Sequence, residues 1–211
     1  MARQTNRLNP DTSLQHRTAE NTASLRWAIR ATVPFADLPE FMVRLKKGKG
    51  PGAQALKLIV HTAARTLEVL EARWSEFDLA AGIWTIPAER MKAGKQHWVP
   101  LSQPVVSLLK ALPQTADDLF PDEEGSKPLS DMAIAMTLAQ MDPRDWTIHA
   151  FRASFCDWCK ENTEFPREFA EQVLALQPES EIQGAHRRED ALSTHRALMD
   201  QWSAFLGSAE A

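Results

Sequence analysis

Tyrosine is absent from all 211 residues. No phenolic side chain can serve here as nucleophile or acid, and an identical partner subunit cannot supply one in trans. Cysteine is scarce: Cys156 and Cys159 stand alone, spaced C-x-x-C. No second pair completes a zinc set, and no strand leads into them as a thioredoxin-like redox site requires. On a helix that also carries Phe151, Phe155 and Trp158, they read as small core residues. No run of 18 apolar residues occurs, which excludes a membrane-spanning helix. The N-terminus, Met1 to Arg7, has charges with no apolar stretch behind them and does not read as a signal peptide, so a cytoplasmic protein is expected. An excess of positive charge is missing as well. There are 24 Lys and Arg against 28 Asp and Glu, a net charge of −4. That is not the balance of a strong nucleic-acid binder; any DNA binding would rest on local basic patches and be weak and salt-sensitive.

What is present suffices for a folded domain. Hydrophobic residues make up 44% of the chain, enough for a real core. Residues 1–33 are polar with scattered arginines and read as a tail or linker remnant, in which Leu25, Trp27 and Ile29 could pack locally. A helix is expected from Asp37, its N-cap, with Glu40 three residues on, to about Leu45. It runs into Lys46-Lys47-Gly48-Lys49-Gly50, a basic, glycine-broken loop that reads either as a solvated turn or as a DNA backbone contact. A long helix is expected from Ala53 to about Arg73, with Leu56, Ile59, Val60, Ala63, Leu67 and Leu70 facing the core. Three short alternating runs follow, in Trp74–Leu79, Ile83–Pro87 and Gln96–Pro100, with turns at Ala80–Gly82 and Lys92–Gly94. They predict a three-stranded antiparallel meander whose second turn carries Arg90, Lys92 and Lys95. Helices are expected over Gln103–Leu112, from Ser130 as cap through Gln140, from His149 to about Asn162, from Pro166 through Leu174, and over residues 189–206. The apolar side of the last would be Leu192, Ala197, Leu198, Trp202 and Phe205. The fold class is mainly α with a small three-stranded antiparallel β-sheet.

Two local patterns suggest chemistry. Thr147 can cap the helix that begins beside His149. His149 and Arg152, three apart, would share one helical face, where imidazole and guanidinium suit an anionic oxygen; alone, such a pair reads first as a chance His and Arg on the solvent face of a capped helix, and only the other motifs change that. Arg65 and Glu68 are also three apart. Glu68 either pairs with Arg65 structurally or helps hold it toward an anion.

Taken in order, six segments carry a resemblance: Thr62–Glu68, Arg73–Leu79, Trp84–Gly94, Val99–Ser102, His149-x-x-Arg152, and Ala185-His186-Arg187-Arg188-x-Asp190. Together they resemble the catalytic domain of tyrosine site-specific recombinases, in particular integrases of prophages and genomic islands, over about residues 34–206, leaving 207–211 as a C-terminal tail. The resemblance implies DNA integration by strand cleavage and rejoining on double-stranded DNA, with no metal, cofactor or small-molecule substrate. It places Arg65 and Arg152 on the non-bridging oxygens of the scissile phosphate, Lys92 at the leaving 5′-oxygen and His149 at proton movement around the nucleophile. The backbone contacts it suggests are Lys46, Lys47, Lys49, Arg90, Lys95, Arg187 and Arg188.

The chain departs from that family in three ways. The family's nucleophilic tyrosine falls on His186; an imidazole can attack phosphorus, but its ring is shorter than a phenol, so an inert replacement is the expectation. A phosphate-donating His or Trp falls on Leu176, which cannot donate; losing such a donor typically costs about 3 kcal/mol of transition-state stabilisation. Only about 33 residues precede the domain, where the family resembles three-part proteins with arm-binding and core-binding domains. The expectation is an integrase-family protein with impaired cleavage; the alternatives are a non-catalytic DNA-binding remnant or regulator, and an oligomerisation partner acting through residues 189–211.

Overall fold

The apolar spacing of residues 38–45 and 53–60 sets the centre of the molecule. In the computed structural model, which describes residues 33–122, 124–142, 144–175 and 185–210, these segments are helices α1 (Leu38–Lys46) and α2 (Pro51–Thr62). Leu38, Phe41, Leu45, Ala55, Leu56 and Leu58 are fully buried between them. Each such side chain contributes about 1.5–3 kcal/mol by leaving water. Asp37 stands at the α1 N-cap but makes no capping bond; its carboxylate takes Nη1 of Arg144 at 2.6 Å instead. Pro51 opens α2 at the position where a missing N–H costs nothing.

The expected long helix after Ala53 is two helices. Thr62 donates its hydroxyl to the Leu58 carbonyl at 2.7 Å and accepts the Ala64 N–H at 3.3 Å, turning the chain out of the helix. Ala63 is left-handed, with φ 50. A short helix α3 (Thr66–Leu70) follows, so Leu67 turns outward and is 61% exposed rather than in the core.

The meander forms as the alternation predicts: β1 (Phe77–Asp78), β2 (Ile83–Ile86) and β3 (His97–Pro100), antiparallel in the order β1-β2-β3. Trp84 pairs with both Phe77 and Val99, and its ring is buried and stacked on Phe77. Helices α4 (Gln103–Lys110) and α5 (Asp131–Met141) follow, and α5 lies on α2, with Ala133 and Thr137 against Gly52. Ser130 caps α5 as expected, accepting from the Ala133 N–H at 3.2 Å.

Helix α6 (Ala150–Asn162) starts one residue after His149. Thr147 contributes its carbonyl, which accepts the Ala150 N–H at 3.0 Å, rather than a hydroxyl cap. Cys159 is buried in α6 and Cys156 half-buried, and neither forms a disulfide. Helix α7 (Arg167–Val173) has Pro166 as its N-cap, one position earlier than predicted. Helix α8 (Ala185–Leu206) begins four residues before the predicted start and so takes in His186. Leu198, Met199, Trp202 and Leu206 are its buried side; Ala197, expected there, is exposed. Trp202 closes an aromatic cluster with Phe155, Trp158 and Phe205 and donates its indole N–H to the Val60 carbonyl at 2.9 Å. The segment read as a C-terminal tail instead makes a 3-10 turn, Ser208–Glu210, against α1. Leu25, Trp27 and Ile29 lie outside the described residues. No helix among the described residues is long and apolar enough to cross a membrane.

Candidate functional site: a clustered arginine pair

The break between α2 and α3 is what presents Arg65. An uninterrupted helix would place it by helical spacing alone; the left-handed Ala63 places it at the N-cap of α3, in extended conformation. Glu68 then holds it twice. One carboxylate oxygen accepts the Arg65 backbone N–H at 2.8 Å, and the other accepts Nη1 at 2.6 Å. Glu68 is 7% exposed and Arg65 31% exposed, so the carboxylate is the buried anchor and the guanidinium the open end. A guanidinium carries five N–H donors, and Glu68 takes only one of them.

Arg152 reaches the same place from α6. It is 6% exposed, and its two Nη atoms donate to the carbonyls of Ala63 and, at 2.8 Å, Leu174. It thus ties the end of α2 to the end of α7. Burial, and next the positive charge of Arg65, bring its pKa down to about 10, with Glu68 acting in the opposite sense. Two arginines distant in the chain therefore meet beside one buried carboxylate. This is a cationic cluster whose remaining donors suit an anionic oxygen, since guanidinium forks match phosphate geometry.

His97, at the start of β3, belongs to this cluster and had no signal in the sequence beyond its place in an alternating run. Its Nε2 meets the Val173 carbonyl at 3.0 Å. Burial lowers its pKa, the Val173 carbonyl and Glu68 raise it, and Arg152 and Arg65 lower it.

The other predicted residues are placed as follows. His149 is exposed at the N-cap of α6, one turn ahead of Arg152. Lys92 is exposed at the tip between β2 and β3, and Lys95 is exposed on the same turn. His149 and Lys92 thus stand at the surface, whereas Arg152 is buried. Lys46, Lys47 and Lys49 are exposed on a loop fastened from inside by Lys57, whose ammonium donates to the Gly48 carbonyl at 2.9 Å and the Lys46 carbonyl at 3.3 Å. Arg90 is corrected. It does not face outward from the hairpin but is 15% exposed, with Nη1 on the Glu76 carboxylate and Nη2 on the Glu68 carbonyl. The Glu76 carboxylate also accepts the Trp84 indole N–H at 2.9 Å. Buried and paired in this way, Arg90 braces the hairpin against α3. Leu176 lies outside the described residues. His186, Arg187 and Arg188 fall in the first turns of α8, and their side chains lie outside them too.

Residues 34–177 match the model of the phage integrase family. The chain belongs to the phage integrase family. It is 31% identical over 178 residues to the prophage integrase IntZ of Escherichia coli K12, covering 82% of this chain and 44% of that protein. It is 30% identical over 191 residues to the integrase of Enterobacteria phage P4, covering 81% and 44%. The chain thus spans less than half the length of these curated integrases. The fold is that of tyrosine recombinase domains. A lambda integrase tetramer bound to a Holliday junction matches with a TM-score of 0.53 at 14% identity, over 74% of this chain and 49% of that one. The XerA recombinase matches with a TM-score of 0.53 at 13% identity, over 76% and 61%. The match to the integrase family model ends at residue 177, ahead of His186.

Proposed function

We propose that this integrase-family chain grips a backbone phosphate of double-stranded DNA between Arg65 and Arg152, in the cytoplasm, and that strand cleavage is impaired because the tyrosine position is occupied by His186. The observation that carries the reading is the meeting of the two arginines, one held by Glu68 and the other by two carbonyls. Held groups of this kind stabilise charge on phosphorus without reorganising as it develops. Lys92 at the exposed hairpin tip would reach the leaving 5′-oxygen, and His149 the proton at the attacking atom. Lys46, Lys47, Lys49, Lys95, Arg187 and Arg188 would follow the DNA backbone. With a net charge of −4, the affinity is expected to be modest and to fall steeply with salt.

The test is a nicked suicide duplex on which a covalent protein–DNA adduct accumulates. The expected result is salt-sensitive binding, weakened by Arg65→Ala, with no adduct from the chain as it stands and a detectable adduct from the double variant His186→Tyr, Leu176→His. An adduct at His186 in the unaltered chain would overturn the impaired reading. Binding that Arg65→Ala leaves unchanged would overturn the phosphate clamp.

A second reading is assembly on DNA. One structural neighbour is a lambda integrase dimer bound to a COC′ core site. In this chain Leu198, Trp202 and Leu206 of α8 are buried in their own domain, so exchange between subunits would involve only residues beyond Leu206. Sedimentation with and without DNA tests it: association only on DNA is expected, and a monomer under both conditions removes it.

A further inference from the structure

Two consecutive carbonyls at the end of α7 are each held by a basic side chain from a different element. Carbonyls of a last helical turn have no partner within the helix. Val173 offers its carbonyl to Nε2 of His97 at 3.0 Å, and Leu174 offers its own to Nη2 of Arg152 at 2.8 Å. A carbonyl only accepts, so Nε2 of His97 carries the proton in this bond. Ala175 then turns left-handed, with φ 49, and the chain departs toward position 176. Helix α8 packs on β3 and carries His195, 4% exposed, with no partner for its Nε2 among the described residues and its ring edge-on to Phe169 at 6.1 Å. The charged and titratable groups acting on or beside His97 are therefore Arg65 ahead of α3, Glu68 in α3, Arg152 in α6 and His195 in α8.

We propose that His97 is a positioning residue: through the Val173 carbonyl it fixes the end of α7, and so holds the Leu174 carbonyl where it anchors the Arg152 guanidinium. This rests on the phosphate-clamp reading. Without the Val173 bond, the neighbouring carbonyl can shift, and Arg152 loses one of its two tethers. The same ring has a second effect. Protonating His97 keeps its bond to Val173 and adds a positive charge beside both arginines, so affinity for a phosphodiester rises as pH falls.

The experiment is fluorescence anisotropy with a labelled duplex of mixed sequence at low salt, on the full chain and on Arg65→Ala, His97→Ala and His97→Gln, each also melted to establish that it is folded. A glutamine amide N–H stands close to where Nε2 stands and can make the same bond, but it does not titrate. His97→Ala is expected to weaken binding roughly two- to tenfold, the loss of one hydrogen bond read as affinity. His97→Gln is expected to recover most of it at alkaline pH and to lose the extra tightening that the unaltered chain shows on acidification. A folded His97→Ala that binds as the unaltered chain does would overturn the proposal, as would a His97→Gln as weak as the alanine variant or with the original pH profile. If Arg65→Ala itself binds normally, it is the clamp that fails, whatever His97 does. The two failures are therefore distinguishable.

Discussion

Arg152 shows how one residue can serve the fold and the site at once. Removing it leaves the Ala63 and Leu174 carbonyls without their donor, at about 1–3 kcal/mol for each buried group left unsatisfied. Arg152→Ala is therefore expected to destabilise the protein by roughly 2–4 kcal/mol in urea unfolding, whereas Lys92→Ala, at an exposed tip, should stay within about 0.5 kcal/mol. The same contrast explains what was legible at this scale. Arg65, Glu68 and Arg152 could be found because their spacing is local and their types are unusual in apolar helices. His97 could not, because its partners Val173, Glu68 and Arg152 are remote in sequence and only the fold assembles them. Arg90 was misread for the same reason: a cation near a hairpin tip looks solvated until Glu76 and the Glu68 carbonyl arrive beneath it. Cys159 gives a chemical check. Burial, together with the neighbouring Cys156, pushes its thiol up to about 12, so it should resist a thiolate-trapping reagent at neutral pH until the protein is unfolded. Rapid labelling of native Cys159, read by peptide mapping, would contradict its buried placement.

At the scale of elements, the strands and most helices followed from period and caps, and the exceptions have physical reasons. The α2–α3 break carries no glycine or proline; Thr62 ends the helix through its hydroxyl, a device that apolar periodicity cannot register. Ser130 was legible as a cap because the serine stands just ahead of the helical run. Ser130→Ala should cost about 1 kcal/mol, measured as a shift of the denaturation midpoint with an unchanged slope. The junction between α5 and α6 rests on ions. Asp142, 2% exposed, takes Arg144 through both oxygens and Arg44 at 2.7 Å, and these partners bring its carboxyl down to about 2, led by the Arg144 hydrogen bond. A carboxylate with a depressed folded-state pKa adds stability above its unfolded value of about 4 and loses it as pH falls toward 2. The melting-temperature gap between the unaltered protein and Asp142→Asn should accordingly be full at neutral pH and shrink between those limits. A gap independent of pH across that window would remove the carboxylate from the account.

For the whole molecule, acid acts earlier through histidines. His61, bonded to Ser203, and His195 are both buried, and burial brings each down to about 4. The unfolded chain binds these protons near pH 6.5 while the folded one refuses them, so stability should fall as pH drops from about 6.5 to 4. Melting curves across that range test it, and replacing both histidines with glutamine should flatten the decline. The architecture was legible as a class because six motifs in order define a domain. How the domain closes on itself, with α8 and the Ser208–Glu210 turn laid against α1, depends on contacts between its two ends. The double tether of Arg152 also changes how a surviving motif should be read. A lineage released from cutting DNA would still be under pressure to keep an arginine at 152, because two helix ends come loose without it. An arginine at 152 therefore has a folding role whether or not the chain cuts DNA, and the exposed Lys92 and His149 are the positions at which a loss of cleavage chemistry would cost the fold least.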